Sequence, residues 1–213
     1  MLVLDNMKRK YLLALIITNI IFFSINAQNF GGGLTVGLCS SQVNGDDLGG
    51  FNKTGILVGV FANKLIFYSI NFQMEMNFIM KGSDNKNMTK IEHKDYNRPD
   101  ISLSYMEIPL LLQYQQNNLL DIEGGVLFGY LINGNYNDLN GKLNSNIRPF
   151  IKYDLGLLLG LTYKYSKKIQ FNTRLSNSII PIGREDYENI SSYGVSKKGK
   201  YNSVLSLSIQ YNI

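Results

Sequence analysis

Long segments of this chain carry an apolar residue at every second position. The last thirteen residues, "YNSVLSLSIQYNI", place Leu205, Leu207 and Ile209 on one face of an extended strand, with two serines and Gln210 on the other. Successive side chains of a β-strand point to opposite faces, so this pattern predicts strands with one apolar and one polar face. Eight segments follow it, at residues 30–40, 54–63, 66–81, 101–115, 118–132, 149–164, 168–178 and 200–213.

Long and short connections alternate strictly between these eight segments. The short ones lie around Asn63–Leu65, at "QQNN" and at "YSKK", whereas the long ones, such as "GSDNKNMTKIEHKDYNRPD", are polar. An up-and-down antiparallel sheet with every long loop at one end produces this alternation. The even number of strands then brings both ends of the sheet to the side of the short turns.

Aromatic residues bracket the apolar stripes at a fixed separation of ten residues. The pairs are Tyr68 and Phe78, Tyr153 and Tyr163, and Tyr201 and Tyr211. At ~3.3 Å per residue and a strand tilt of ~40–45°, this separation projects to ~24 Å, close to the ~25 Å apolar band of an outer-membrane barrel. A soluble lipocalin-like barrel would turn its apolar face inward and has no reason for this spacing. We therefore expect the apolar faces to meet lipid.

The opposite faces of the segments combine glycine, amides and both signs of charge. An eight-stranded barrel has a narrow interior filled by side chains, and a buried charge is costly unless it is paired. The sequence therefore predicts one charge network inside the barrel, with the acids neutralised by Lys152 and Arg174. Its predicted members are Glu75, Glu107, Asp121, Glu123, Lys152, Asp154 and Arg174. The alternative is that this face is a solvated outer surface.

The segment "SYMEIPLLLQY" changes the phase of its apolar residues. Leu103 and Tyr105 share one face, but after Glu107 the apolar set becomes Ile108, Leu110, Leu112 and Tyr114. An extra residue near Met106–Glu107 would explain this, so we predict a β-bulge there. The adjacent Pro109, which cannot donate a ladder hydrogen bond, fits that position.

The N-terminus has the form of a secretory signal peptide. Lys8, Arg9 and Lys10 precede the apolar run "YLLALIITNIIFFS", and Ala27 suits a cleavage site, so residues 1–27 are the predicted signal peptide and 28–213 the mature barrel domain. Initiation at Met7 and an uncleaved anchor are the alternatives. Cleavage removes three bases and one acid, which lowers the formal net charge from +5 to +3. So weak and diffuse a positive charge gives no reason to expect nucleic-acid binding.

The segment "YMEIPLLLQY" (Tyr105–Tyr114) resembles the Tyr-Leu-Glu-Ile-Pro-Leu-Leu-Leu signature of the PorT-like outer-membrane β-barrel family. The leader ending in Ala-Gln and the segments "GGGLTVG", "GGVLFGY" and "YDLGLLLGL" are similar to that family as well. The resemblance spans nearly all of the chain after the leader. It implies an outer-membrane barrel, and PorT itself is tied to a secretion system for surface proteins and to gliding.

Residues with catalytic chemistry are few. His93 is the only histidine and lies in a predicted outward loop, with Ser83 and Ser102 flanking that loop at no triad spacing, and Cys39 is the only cysteine. We therefore expect no catalytic residue, no cofactor and no metal site.

The sequence as a whole predicts an all-β, eight-stranded antiparallel up-and-down transmembrane β-barrel with short periplasmic turns and long extracellular loops. We expect a monomeric, non-enzymatic protein that contacts outer-membrane lipid and reaches protein partners through its loops. The alternatives are a component of a surface-protein secretion and gliding machinery, a lipid-modifying enzyme of the outer leaflet, and a lipocalin-like periplasmic carrier.

Overall fold

The computed structural model describes residues 30–45, 50–84, 100–138, 141–142, 150–183 and 199–213. The predicted signal peptide and His93 lie outside these residues. Among the residues described there is no helix long and apolar enough to cross a bilayer. The strands are β1 (Gly31–Asn44), β2 (Lys53–Phe67), β3 (Ile70–Ser83), β4 (Asp100–Gln115), β5 (Leu120–Asp138), β6 (Gly141–Lys142), β7 (Tyr153–Lys164), β8 (Ile169–Ser178) and β9 (Tyr201–Asn212).

Eight long antiparallel strands close into a barrel, as the sequence predicts. Sequential neighbours pair, β5 pairs with β7, and β9 pairs with β1 along Gly33–Asn44, which closes the sheet. The two-residue strand β6 only extends the tip of β5. Closure leaves no unpaired edge along the eight strands, and this condition allows a sheet to reside in lipid.

The strands are staggered around the barrel. Each residue can be followed to its ladder partner on the next strand, all the way around the barrel. Starting at Gly31, this series of partners returns to β1 at Ser41, ten residues farther along the strand. A stagger of this size over eight strands corresponds to a tilt of about 40–45° and an interior just wide enough for side chains.

The three short turns lie at one end of the barrel. Between β4 and β5, Asn117 Oδ1 accepts hydrogen bonds from the N–H groups of Leu119 and Leu120, each at 2.8 Å. Between β7 and β8, Ser166 Oγ accepts from the N–H groups of Lys168 and Ile169. These side chains satisfy turn donors locally, which is why Asn and Ser favour such turns.

The predicted turn at Asn63–Leu65 is wrong. Strand β2 continues to Phe67, and the turn is formed by Tyr68 and Ser69. Asn63 pairs with Gln73 across the ladder and belongs to the polar inner face, so its polarity does not mark a loop. Tyr68 consequently lies in the turn, fully exposed, and is not the aromatic end of a stripe on β3.

The predicted bulge at Met106–Glu107 is also wrong. Strand β4 alternates without interruption, with Tyr105 and Glu107 buried inside the barrel and Met106 exposed outside. The extra residue is Ile132 on β5, where the register with β4 shifts beside Tyr105. In the loop-end half of β4, the apolar residues Leu103 and Tyr105 face the interior, whereas farther along the strand Ile108 and Leu112 face outward. The apolar residues therefore switch from the inner to the outer face although the strand itself alternates regularly.

The outer surface is apolar and the inner surface is largely polar. Outward side chains such as Leu207 and Leu159 are 59% and 69% exposed, whereas Glu75 and Gln210 inside are at most 2% exposed. This arrangement is the reverse of a soluble barrel and rules out the lipocalin-like alternative.

Aromatic side chains stand outward at both ends of this apolar surface. Tyr163 and Tyr211 lie at the turn end, Tyr153 and the half-buried Tyr201 at the loop end, and Phe78 is half-buried on the outer face of β3. Tyr130 packs edge-to-face on Tyr153, with ring centroids 5.7 Å apart.

Candidate functional site

One arginine spans the turn-end half of the barrel interior. Arg174 on β8 binds Glu75 on β3 with both terminal nitrogens, each N–O distance being 2.7 Å. Its Nε and one terminal nitrogen donate to Glu123 on β5. Three strands separate β3 from β8 on either side, so this bidentate pair bridges opposite walls of the barrel.

Amides and hydroxyls complete the shells of the two glutamates. Glu75 accepts from Gln73 Nε2 at 2.6 Å and from Asn77 Nδ2 at 2.7 Å. Glu123 accepts from Asn172 Nδ2 at 2.8 Å and from Gln113 Nε2 at 3.1 Å. Buried carboxylates are stable only when paired and hydrogen-bonded in this way.

A second ionic cluster lies farther toward the loop end. Lys81 Nζ on β3 donates to Glu107 at 2.7 Å and to Asp154 at 2.9 Å, and it also lies 4.2 Å from the ring centroid of Tyr105. Asn202 Nδ2 donates to the same Asp154 oxygen as Lys81, at 2.9 Å. The cation is therefore held by two acids and an aromatic face.

The predicted charge residues fall into three groups instead of one network. Glu75, Glu123 and Arg174 form one group, and Glu107 and Asp154 form another around Lys81. Asp121 pairs with Lys164 at 2.7 Å, at the turn end.

Lys152 does not contribute to the interior. It is exposed, with Nζ 6.0 Å from the ring centroid of Tyr130. Strand β7 begins only at Tyr153, so the alternation that predicts an inward Lys152 does not yet apply there. The sequence interpretation missed Lys81, although it lies on the same face of β3 as Glu75 and Asn77.

The loop-end half of the interior is mainly apolar. Phe150 and Ile182 come from segments outside the strands, yet they are 5% and 0% exposed. Phe150 pairs with Gly183, and Ile182 donates its N–H to Lys200 O at 2.7 Å, so the two segments lie together across the mouth. The cluster that they close consists of Cys39, Val43, Leu57, Ile79, Ile101, Leu103, Tyr105, Phe150, Ile182 and Val204.

The groups with catalytic potential do not converge. Ser83 faces the interior and Ser102 the outer surface, so the barrel wall separates their hydroxyls. Cys39 is buried, and its Sγ donates to Met80 O at 3.0 Å. Within the described ranges, no group of three or more His, Cys, Asp or Glu side chains could hold a metal ion.

A model of outer membrane protein β-barrel domains matches residues 26–183. The chain belongs to this family. Together with the apolar outer surface, this places the protein in the bacterial outer membrane. Comparison with curated proteins gives no match.

Two solved barrels show the same fold. Ail, the attachment invasion locus protein of Yersinia pestis, aligns with a TM-score of 0.52 at 10% identity, over 87% of this chain and 100% of Ail. Neisserial surface protein A aligns with a TM-score of 0.51 at 10% identity, over 85% of this chain and 97% of that protein. At this identity, the likeness extends to the fold alone.

Proposed function

We propose that this outer-membrane β-barrel protein is non-enzymatic and PorT-like, and that it acts through its extracellular loops and protein partners rather than through its lumen. The observation that carries the proposal is the filled interior. Arg174 bridges the lumen at the turn end, and Phe150 and Ile182 close it at the loop end. A barrel filled in this way offers solutes no open path.

The interior ions support a structural role for the acids. Each of the four buried acids around Lys81 and Arg174 accepts a charge-assisted hydrogen bond. An acid that acted on a substrate would instead need access to solvent or to a cleft. The paired acids hold the walls of the barrel together.

The PorT-like motif also contributes to the wall. In "YMEIPLLLQY", Glu107 pairs with Lys81, while Ile108 and Leu112 face lipid. Pro109 is buried on the inner side at a gap in the β3–β4 ladder. The motif thus supports membership of the PorT-like class, and that resemblance makes a role in surface-protein secretion and gliding the second candidate.

Complementation of a deletion strain tests the proposal. The strain receives the wild-type chain, a variant in which a short Gly-Ser linker replaces residues 85–99, or the interior variant Glu107→Gln. Export of surface proteins and gliding are scored beside heat-modifiable gel mobility, which reports barrel folding. We expect the loop variant to fold without restoring the phenotype and E107Q to restore it. Full rescue by the loop variant with failure of a folded E107Q would contradict the proposal.

A further inference from the structure

A groove opens on the outer surface of the barrel at its loop end. Its volume is about 140 Å³. The register places Met80 beside Ser104 and Asn133, and Gly82 beside Ser102 and Asn135, on strands β3, β4 and β5. The groove is lined by Lys53, Thr54, Met80, Lys81, Ser102, Leu103, Ser104, Asn133 and Asn135.

Small residues and the bulge on β5 create this groove. Gly82 has no side chain and Ser102 and Ser104 have short ones, so the surface is low between Met80 and the two asparagines. Because of the extra residue at Ile132, the side chains of Ile132 and Asn133 both point outward, and Asn133 forms part of the side of the groove on β5. A bulge commonly re-aims side chains in this manner.

Five polar side chains that line the groove are not used by the protein itself. Within the described part of the chain, the side chains of Thr54, Ser102, Ser104, Asn133 and Asn135 make no hydrogen bond or ion pair. Three hydroxyls and two amides therefore converge on one cavity with their hydrogen-bonding capacity available to a ligand.

The opposite side of the same rim provides a contrast. There, Asn44 Nδ2 donates to Ser203 Oγ at 2.7 Å, and Ser203 Oγ donates to Asn177 Oδ1. The outward polar groups of β1, β9 and β8 thus satisfy one another, whereas those of β2 to β5 surround a groove.

A methionine surface lies directly below the groove. Met74, Met76, Met80 and Met106 all face outward on β3 and β4 and are exposed, and they are four of the seven methionines in the chain. Methionine is flexible and polarizable, and it adapts to irregular apolar partners. Met80 borders the groove and this surface at once, so an amphipathic ligand could contact both together.

Two lysines line the groove, but the ammonium group of Lys81 is held inside the barrel by Glu107 and Asp154. Lys53 Nζ pairs with Asp100 at 2.9 Å, and both side chains remain about a quarter exposed. Lys53 can therefore meet a phosphate at the edge of the groove while the hydroxyls and amides meet neutral groups.

We propose that this groove binds the phosphorylated sugar headgroup of an outer-leaflet glycolipid, with the acyl chains lying on the methionine surface. The groove stands above the apolar band at the loop end, the level at which headgroups of the outer leaflet lie. The hydroxyl and amide side chains of the groove match a hydroxyl-rich sugar, and the methionine surface matches the acyl chains of the lipid. An occupant that contacts both the groove and the methionine surface is a membrane lipid and not a soluble saccharide.

Native mass spectrometry of the detergent-solubilised full chain tests this proposal. The probes are a bis-phosphorylated diglucosamine glycolipid, its dephosphorylated form, the deacylated headgroup and phosphatidylethanolamine. We expect the wild type to bind the intact glycolipid at least about ten-fold more tightly than either phosphatidylethanolamine or the headgroup alone. Lys53→Met should weaken binding of the phosphorylated form and leave the dephosphorylated form unchanged.

Two substitutions separate the groove from the general lipid surface. The double variant Ser102→Leu and Ser104→Leu fills the groove and should reduce glycolipid binding about ten-fold, to the level of phosphatidylethanolamine. Thr173→Leu on β8, an equally lipid-facing hydroxyl position outside the groove, should leave binding unchanged. If the double variant does not show heat-modifiable folding, Asn133→Ala provides the same comparison without added bulk.

Three results would overturn the proposal. Equal binding of glycolipid and phosphatidylethanolamine to the wild type would show a non-selective lipid annulus. Equal binding of headgroup and intact glycolipid would assign the groove to a soluble saccharide. Unchanged glycolipid binding in a folded groove variant would place the lipid elsewhere on the barrel.

Discussion

The two halves of the barrel interior are built on different chemistry. In the turn-end half, Arg174 joins Glu75 and Glu123 from three strands. In the loop-end half, an ionic cluster around Lys81 is still present, but Phe150 and Ile182 leave the path of the strands and pack there among apolar wall residues. Ion pairs bridge the lumen and fix which strands face each other, whereas the apolar cluster fills the mouth. The difference shows that holding the walls and closing the mouth are separate tasks in this barrel.

The largest expected effect comes from removing Ile209–Ile213, which carries the turn-end part of the closing seam. These residues pair with Gly33–Val36 of β1 and with the start of β8. Their loss leaves edge strands open to lipid, so assembly should be abolished in a heat-modifiable mobility assay on outer-membrane fractions. Shortening residues 184–198, which connect β8 to β9 in the sequence, should permit assembly. Normal insertion of the truncated chain would contradict the assigned seam.

Arg174→Leu should be the most destabilising single substitution of the ionic half. It leaves Glu75 and Glu123 buried without their cation, and breaking a buried ion pair costs about 3–5 kcal/mol. Urea unfolding in lipid vesicles measures the loss. The exposed Lys152→Leu is the matched control and should change the unfolding free energy by less than about 0.5 kcal/mol. Similar values for the two variants would remove the distinction between interior and surface cations.

Ile182→Ala should weaken the apolar half by about 2–4 kcal/mol, because it leaves a cavity beneath the mouth. The same vesicle assay applies, and Ile179→Ala serves as the control because Ile179 is exposed to the outside.

Planar-bilayer recording should show no steady conductance for the wild type. A large steady conductance of the wild type would contradict a filled lumen.

Lys164→Met should have the smallest effect, about 1 kcal/mol or less. Lys164 pairs with Asp121 near the turn end, and it is partly exposed, so solvent screens the pair. Its contribution should fall further as salt is added, while that of Arg174 should not. Unfolding curves at low and high salt make this comparison, and equal salt dependence for both variants would indicate that the Arg174 cluster is hydrated.

The closing strand could be predicted from sequence almost to the residue. Segment 200–213 and strand β9 agree because apolar and polar residues alternate regularly from Leu205 to Tyr211, with Ser203 and Val204 as exceptions near the loop end, and lipid and lumen impose opposite demands on the two faces. The turn at Tyr68 and Ser69 could not be predicted equally well. Asn63 is polar because it faces the lumen, but in the sequence a polar residue at this position is indistinguishable from a residue of a turn.

The loop-end half shows where alternation stops being informative. Leu103 and Tyr105 face inward while Ser102 and Ser104 face outward, the reverse of the pattern farther along β4. Polarity alone cannot reveal which face is the lumen once both environments accept apolar groups. For this reason the apolar pattern indicates a bulge on β4 although the extra residue lies on β5, and polarity does not reveal the outer groove. Lys81 is hard to predict because the apolar Ile79 interrupts the run of polar residues on the inward face of β3 between Asn77 and Lys81.

The position of Arg174 has a consequence for the order of events during assembly. Its partner Glu75 is 99 residues away in sequence and lies on the opposite wall, so the two meet only after the sheet has curled. Until then, each carries its charge on the inner face of an open ribbon, where water must remain. Expulsion of that water and neutralisation of the charges therefore coincide with closure. The β1–β9 seam and the Arg174–Glu75 pair should therefore form together, late in folding.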